Sequence, residues 1–216
     1  EGCYFAGYDV ALPTEYAYKS KSEGGIWEEG DLRRDESIRY DFTYLGITPT
    51  EVSWGADELD PHIKKYEDER TDQFNGNLAN EWYSGKNFIV LRYADVLLCY
   101  AECLNELGET GEANTVVNQV RARAWGGTLP NEMAWNYGQD EFRVQIMDER
   151  IRELCFEGWR RMDLIRTGKF VELIKERNPW AKKSGTIKEF HMRWPIPDTE
   201  IKNNSDISEE DQNPGY

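Results

Sequence analysis

The sequence predicts an all-α fold of stacked helix pairs that follows a long irregular segment. Two observations favour helices: apolar or small residues recur at helical spacing from residue 91 to 107, and a second such pattern starts at Glu112. A third observation defines the irregular part, because residues 1–87 mix aromatic, glycine, proline and charged residues without a sustained period. Only a few residues separate the two helices, so they are expected to pack antiparallel.

The irregular segment carries only short-range signals. Thr14 is a suitable N-cap for a short helix that runs through Tyr18. Residues 41–44 and 51–54 each favour a short strand, and the polar stretch 68–85 favours a surface loop.

The first predicted helix pair resembles a tetratricopeptide repeat. Ala101 and Ala113 are the small residues that this repeat needs in its two helices, and Leu104 is the large apolar residue between them. Small residues let two helix backbones approach closely. One such pair cannot bury its outer face alone, so further helices are expected to stack on it.

Three further helices are predicted downstream. Asp140 is expected to cap the first of them, and Gly158 to end or bend it. Apolar patterns over 159–167 and 170–174 predict the other two. The tail from residue 194 contains prolines and is expected to be extended. Three aromatic residues of the predicted helices are expected to lie in the core: Tyr93, Tyr100 and Phe142.

Charge and hydropathy exclude several classes of protein. The formal net charge of -15 would repel a phosphate backbone, so nucleic acid is not an expected partner, and it disfavours adhesion to anionic lipid. The longest strongly apolar run, 88–91, is far shorter than the ~20 residues of a spanning helix. No signal peptide is found, and the chain starts within a segment that already looks folded, so we expect a mature chain or a fragment whose upstream part is missing.

The four cysteines indicate neither a disulfide framework nor a metal site. Cys99 and Cys103 are one helical turn apart, which places Cβ atoms roughly 5–6 Å apart, beyond disulfide reach. We expect all four to be small buried or half-buried hydrophobes. His62 and His191 stand far apart and the sequence has no Cys-x-x-Cys pair, so metal binding is not favoured. No cofactor is expected, although the abundant carboxylates leave a structural calcium ion open.

Glu149, Glu153 and Glu157 share one face of a predicted helix, as two catalytic carboxylates of a glycosidase would need to do. Such spacing is common on any helix, and five arginines are interleaved between residues 150 and 166. The favoured role is therefore ion pairing that ties the helices together. No nucleophile elbow, phosphate loop or dinucleotide fingerprint occurs, so we expect no enzyme.

Four separated blocks of the sequence resemble the RagB/SusD family. They are the helix-opening run NFIVLRYADVLL (87–98), a block with ER, EL and FEG (149–158), a basic block (160–166), and a C-terminus with PIP and QNPGY (195–216). The order of the blocks makes the match specific to the C-terminal portion of a SusD-like protein. Cys99 and Cys103 depart from the family pattern, as does an acidic stretch between Asn204 and Gln212.

This resemblance implies a tetratricopeptide-like helical scaffold with an irregular, loop-rich ligand-binding side. Residues 1–87 would form the ligand-side segment and residues 88–216 the helical C-terminal part of one SusD-like domain. The family implies non-catalytic capture of oligosaccharides or polysaccharides at the cell surface and their delivery to a SusC-like TonB-dependent transporter. The alternative is a peptide-binding or purely protein–protein scaffold subunit of the transporter complex.

The resemblance also implies an outer-membrane location through a lipid anchor. The lipidated cysteine would belong to the upstream part of the longer protein, and Cys3 is not assigned that role. Membrane attachment is expected through that anchor alone.

Aromatic residues are the best candidates for the ligand site. The chain has eight tryptophans and twelve tyrosines, and sugar rings present apolar C–H faces that stack on aromatic rings. Aromatics in irregular segments are freer to do this than those within helices. Because the irregular segment should lie nearest the binding face, we predict three ligand-binding residues: Tyr4, Tyr8 and Trp27.

Overall fold

The computed structural model describes residues 12–40, 60–67 and 86–216. Within these ranges the regular elements are helices apart from one two-stranded sheet, which confirms the all-α class. The strands expected at 41–44 and 51–54 and the loop expected at 68–85 lie outside the described residues. No helix in the described ranges is both long and apolar enough to cross a membrane.

The N-terminal elements are short. Thr14 caps the first helix as predicted, because its Oγ1 accepts a hydrogen bond from Ala17 N at 3.3 Å. Ile38 lies opposite Ile63 in the small antiparallel sheet, which sequence analysis did not foresee. The elements are α1 (Glu15–Tyr18), a 3-10 turn (Lys21–Glu23), α2 (Arg33–Ser37), β1 (Ile38–Arg39) and β2 (His62–Ile63).

Three long helices form the scaffold: α3 (Tyr93–Glu106), α4 (Thr110–Ala124) and α5 (Gln139–Leu154). The first packs mainly on the second and then on the third. Ala101 and Ala113, the small residues of the repeat pattern, are fully buried, as close approach of α3 and α4 requires. Phe142 is fully buried in the same core, as predicted.

The start and end of α5 differ from expectation. Gly138 is its N-cap, and Asp140 lies instead in the first turn, where a carboxylate interacts favourably with the helix dipole. The helix ends at Leu154, before Gly158. Phe156 reverses the chain with a φ of 65°, a left-handed conformation that a residue with a bulky side chain seldom adopts.

The outer face of α3 is apolar but exposed, so two core predictions were wrong. Tyr93 is 73% exposed and Tyr100 48% exposed. Cys99 and Cys103 on the same helix are also exposed, whereas Cys155 is buried. Because apolar residues surround much of α3, periodicity alone did not show which face α4 and α5 cover.

The chain divides into two compact units, Glu1–Arg160 and Arg161–Tyr216. The division expected between residues 87 and 88 concerns ligand-side and helical roles and stays a prediction. The later helices are α6 (Arg160–Arg166), α7 (Phe170–Arg177), α8 (Pro179–Ser184) and α9 (Asp198–Asn203).

The tail is more helical than expected. Pro197 immediately precedes α9 as its N-cap, and Pro179 is the first residue of α8. Proline is tolerated at a helix start because the amide hydrogen that it lacks has no partner in the first turn. Pro179 and Pro197 therefore lie at helix starts, and Pro197 does not exclude a helix from the tail.

Candidate functional site

A cavity of about 400 Å³ opens in the first unit. Its volume falls within the usual range for small-ligand pockets. One wall comes from the loop around residues 20–29, and the other from α4 and the segment 132–137. The lining side chains combine aromatic, hydroxyl and charged groups, mainly Lys21, Trp27, Glu28, Glu29, Arg121, Glu132 and Tyr137.

A tight turn shapes the loop wall. Lys21 N donates to Trp27 O at 2.7 Å, which closes the loop on itself. Gly24 has a φ of 83°, which favours glycine. A Cβ on Gly25 would lie 2.1 Å from Lys19 O, so this close approach requires glycine. The two glycines therefore hold Trp27 and the following glutamates against the cavity.

Two asparagines of α4 fix the opposite wall. Asn118 Nδ2 donates to Trp135 O at 3.0 Å, and Trp135 N donates back to Asn118 Oδ1 at 2.8 Å. One helical turn earlier, Asn114 makes the same pair of bonds with Tyr137, at 2.9 Å and 3.2 Å. Each amide side chain thus binds both the N–H and the C=O of one residue of the segment 132–137, as a neighbouring β-strand would. These bonds set the position of Tyr137.

An ion-pair group lies within the cavity wall. Lys21 Nζ is 2.6 Å from Glu28 Oε1, and the Arg121 guanidinium binds the other oxygen of Glu28. Arg121 also donates to Met133 O at 2.7 Å. Burial raises the pKa of Glu28, but Arg152 and Arg121 outweigh that effect and hold it below its ordinary value. Glu28 is therefore ionised at neutral pH.

Three polar side chains of the lining are available to a ligand. The carboxylates of Glu29 and Glu132 make no ion pair within the part of the chain that the structure describes. The Tyr137 hydroxyl likewise has no hydrogen-bond partner there. Burial first, and then the charge of Glu28, raises the pKa of Tyr137, so its hydroxyl remains a proton donor.

Beneath the cavity lies a buried charge network centred on Glu149, which is fully buried. Arg121 Nη1 reaches one of its oxygens at 3.0 Å, and Arg152 Nη2 reaches the same oxygen at 2.7 Å. Arg33 Nη1 binds the other oxygen at 2.8 Å and Glu153 at 3.0 Å. Burial raises the pKa of Glu149, but the three guanidiniums more than compensate and hold it well below its ordinary value.

The network extends to the start of α3. Arg92 binds both Glu153 and Glu157, with 2.8 Å from its Nε to Glu157 Oε2. Lys65 Nζ lies 2.7 Å from Glu157 Oε1. The predicted ion-pairing role of Glu149, Glu153 and Glu157 is confirmed. Most of their partners, however, come from outside the arginines of residues 150–166.

One of the three predicted ligand residues is described. Trp27 lines the cavity, yet it is only 2% exposed and its Nε1 donates to Ala17 O at 2.6 Å. The ring therefore offers a small edge to the cavity rather than a stacking face. Its contact with a ligand stays a prediction, and Tyr4 and Tyr8 lie outside the described residues.

The sequence did not reveal Arg121 of the cavity lining or the two asparagines that fix the wall behind it. Asn114, Asn118 and Arg121 recur at steps of four and three, next to the apolar residues of the buried α4 face. Polar side chains at core spacing on an otherwise apolar helix face are a signal that buried hydrogen bonds are required. In the described ranges, no three acidic, histidine or cysteine side chains converge to hold a metal ion.

Comparison with known proteins assigns the family. The profile of the SusD family matches residues 13–216. The chain belongs to the SusD family. This finding confirms the resemblance seen in the four sequence blocks.

Individual SusD relatives agree with this membership. SusD-like protein P2 of Formosa agariphila is 31% identical over 222 residues, covering 99% of this chain and 41% of the relative. The starch-binding protein SusD of Bacteroides thetaiotaomicron is 28% identical over 225 residues, covering 96% of this chain and 37% of the relative. The chain therefore spans less than half the length of these two relatives.

A solved structure shows the same fold. The crystal structure of a SusD homolog from Bacteroides thetaiotaomicron superposes with a TM-score of 0.63 at 24% identity. The superposition covers 87% of this chain and 41% of the homolog.

Proposed function

We propose that the chain is part of a SusD-family protein that captures an oligosaccharide or polysaccharide without cleaving it. The observation that carries this proposal is the cavity between the 20–29 loop and α4, which combines an aromatic ring with charged and hydroxyl groups. Glycan sites use this combination, because aromatic rings meet the C–H faces of a sugar while polar groups bind its hydroxyls. The name of the starch-binding relative supports the same class of ligand.

The ion pairing of Glu28, the most buried carboxylate of the described lining, favours binding over catalysis. A glycosidase needs a carboxylic acid that donates a proton to the leaving oxygen. The lowered pKa of Glu28 keeps it ionised and paired with Lys21 and Arg121, which makes it unsuited to that task. Glu149 and Glu153 are equally committed to buried arginines.

The location and partner in this proposal follow from the family. The whole protein would be held at the outer face of the outer membrane by a lipid anchor outside this chain. It would pass its ligand to a SusC-like TonB-dependent transporter.

The test is binding of the intact protein to a panel of soluble polysaccharides, measured by retardation in native gels. We expect selective retardation by at least one glycan. Tyr137→Ala should then weaken binding by roughly tenfold, or about 1.4 kcal/mol, because it removes both a ring and a free hydroxyl. Tyr137→Phe should have a smaller effect, since it removes the hydroxyl alone.

Tyr93→Ala is the matched control, because Tyr93 is exposed on α3 and does not line the cavity. Trp27→Phe, Tyr4→Ala and Tyr8→Ala test the three ligand residues predicted from sequence. Release of new reducing ends at a catalytic rate, or no retardation by any glycan, would contradict the proposal.

A second candidate function is a protein–protein scaffold, and the exposed apolar face of α3 favours it. Tyr93, Val96, Tyr100 and Leu107 are large, apolar and exposed along this helix. Such a surface is typical of an interface. Tight association with a transporter in the absence of any glycan or peptide ligand would favour this candidate.

A further inference from the structure

We infer that the cavity accepts uncharged oligosaccharides and discriminates against glycans that carry carboxylate or sulfate groups. The inference rests on the proposed function, because it names the class of glycan that the same cavity admits. Its basis is the charge that the cavity presents to a ligand once the internal ion pairs are formed.

Both cationic side chains that line the cavity among the described residues are already paired with carboxylates. Lys21 Nζ is 2.6 Å from Glu28 Oε1. Arg121 is 1% exposed and divides its guanidinium between Glu28, Glu149 and the carbonyl of Met133. A ligand carboxylate would have to displace Glu28 to gain the buried Arg121, and at Lys21 it would meet a cation that Glu28 already neutralises.

The remaining charges of the lining are negative. Glu29 and Glu132 are exposed, and neither carboxylate has an ion-pair partner in the described ranges. Among the described residues, two cationic and three anionic side chains line the cavity, so this part of its wall carries an excess of negative charge. The formal net charge of -15 over the whole chain adds repulsion of anions at longer range.

An uncharged sugar suits this wall for a specific reason. Sugar hydroxyls donate hydrogen bonds, and ionised carboxylates such as Glu29 and Glu132 are strong acceptors for them. The free hydroxyl of Tyr137 donates in the opposite direction, to a ring or hydroxyl oxygen of the sugar. A uronate or sulfate group has no hydrogen to donate at its anionic oxygens and meets like charge instead.

The experiment compares each acidic polysaccharide with its own carboxyl-reduced form, which keeps the linkages and removes the charge. Polygalacturonate, alginate and a glucuronoxylan are tested in this way, beside uncharged glucans, by native gel retardation of the intact protein. We expect binding to at least one uncharged or reduced glycan. The acidic parent should bind roughly tenfold more weakly, as two like-charged contacts in water would produce.

The double variant Glu29→Gln/Glu132→Gln separates the cavity from the rest of the chain. It should raise the affinity for the acidic form relative to the reduced form by several-fold. The control is Glu109→Gln/Glu112→Gln, which removes two exposed negative charges that do not line the cavity. That control should leave the ratio of the two affinities nearly unchanged.

Each outcome decides the inference. An acidic glycan that binds as tightly as its reduced form, or equal effects of the two double variants, overturns the uncharged-ligand inference while glycan capture stands. Binding of a basic peptide without any glycan overturns both the inference and the proposed function. No binding by any glycan likewise overturns both.

Discussion

Glu149 joins three separate parts of the sequence through one carboxylate. Its partners are Arg33 from α2, Arg121 from α4 and Arg152 from its own helix. Burying these charges is costly, and the arrangement is stable only while every charge has its counterpart. Removal of the carboxylate would leave an excess of buried positive charge.

We therefore predict that Glu149→Gln lowers the free energy of unfolding by roughly 3–5 kcal/mol, the range for breaking a buried ion pair. Urea denaturation of the intact protein measures it. The control is Glu106→Gln, whose carboxylate pairs with Arg143 at the surface and should change stability little. Equal effects of the two substitutions would show that the buried network is not stabilising.

The lowered pKa of Glu149 leads us to predict that the stability of the protein depends on pH. The pKa of Glu149 and that of Glu153 lie below the ordinary value of 4.5 because nearby arginines outweigh the effect of burial. The stability that they contribute is thus fully present above about pH 4.5, their unfolded value, and is lost as pH falls toward the lowered folded values.

Unfolding free energies measured between pH 3 and pH 7 test this prediction. The decline below about pH 4.5 should be steep for the wild type and shallower for Glu149→Gln. Identical slopes for the two proteins would contradict it.

Among the elements, α4 builds the cavity through side chains that bind backbone. Asn118→Ala would leave both backbone groups of Trp135 without the partner that now satisfies them. We predict a loss of roughly 1–3 kcal/mol in the free energy of unfolding and several-fold weaker glycan binding. Thermal denaturation and gel retardation measure the two effects.

Thr115→Ala is the control on the same helix, because the Thr115 hydroxyl donates a hydrogen bond to Gly111 O on the exposed side. It should change neither quantity appreciably. If a folded Asn118→Ala protein bound glycan with unchanged affinity, the hydrogen bonds between Asn118 and Trp135 would not be needed to position the ligand site.

The outer face of α3 leads to a second prediction at this scale. Its exposed residues follow steps of three and four along the helix: Tyr93, Val96, Tyr100, Cys103 and Leu107. This is the spacing of a seam that packs against another helix. We expect the 216-residue chain by itself to self-associate through this face, and Tyr93→Ser/Tyr100→Ser to reduce the association.

Sedimentation velocity over a range of concentrations measures the association. The control is Val144→Ser/Met162→Ser, which replaces two exposed apolar residues elsewhere. A wild-type chain that stays monomeric at high concentration would contradict the prediction.

The longer helices were predictable from sequence, and the shorter elements were not. The apolar period of α3, α4 and α5 extends over several turns, so helical packing was visible from spacing alone. The sheet of Ile38–Arg39 and His62–Ile63 has two residues in each strand, too few to show any alternation. Elements of this length form because of their tertiary surroundings.

For the whole molecule, the position of the cavity in the first unit predicts which backbone amides a bound ligand protects from hydrogen exchange. Hydrogen exchange of backbone amides should slow in α4 and in residues 133–137 when a bound glycan is present. Amides of α7, in the second unit, should exchange at nearly unchanged rates. A glycan that the protein does not bind serves as the control, and uniform slowing across both units would contradict the prediction.

The candidate site was only partly predictable, because some of its residues are positioned by contacts with residues far away in the sequence. Trp27, which lies in the cavity lining, was among the predicted residues because it is an aromatic residue in an irregular segment. Arg33 and Arg121 were not, because their roles depend on contacts with Glu149, which is 116 residues from Arg33 and 28 from Arg121. A single sequence gives no direct signal of pairing between residues so far apart.

The hydrogen bonds between α4 and the segment 133–137 have a consequence for which mutations this protein tolerates. Backbone groups of Met133, Trp135 and Tyr137 are held by α4 and their side chains are buried or half-buried, while Ala134 and Asn136 between them are exposed. When each residue of this stretch is replaced in turn by the other amino acids, we expect positions that tolerate few substitutions to alternate with positions that tolerate many. Inserting a single residue would exchange the buried and exposed positions that follow it and turn the Tyr137 side chain away from the cavity.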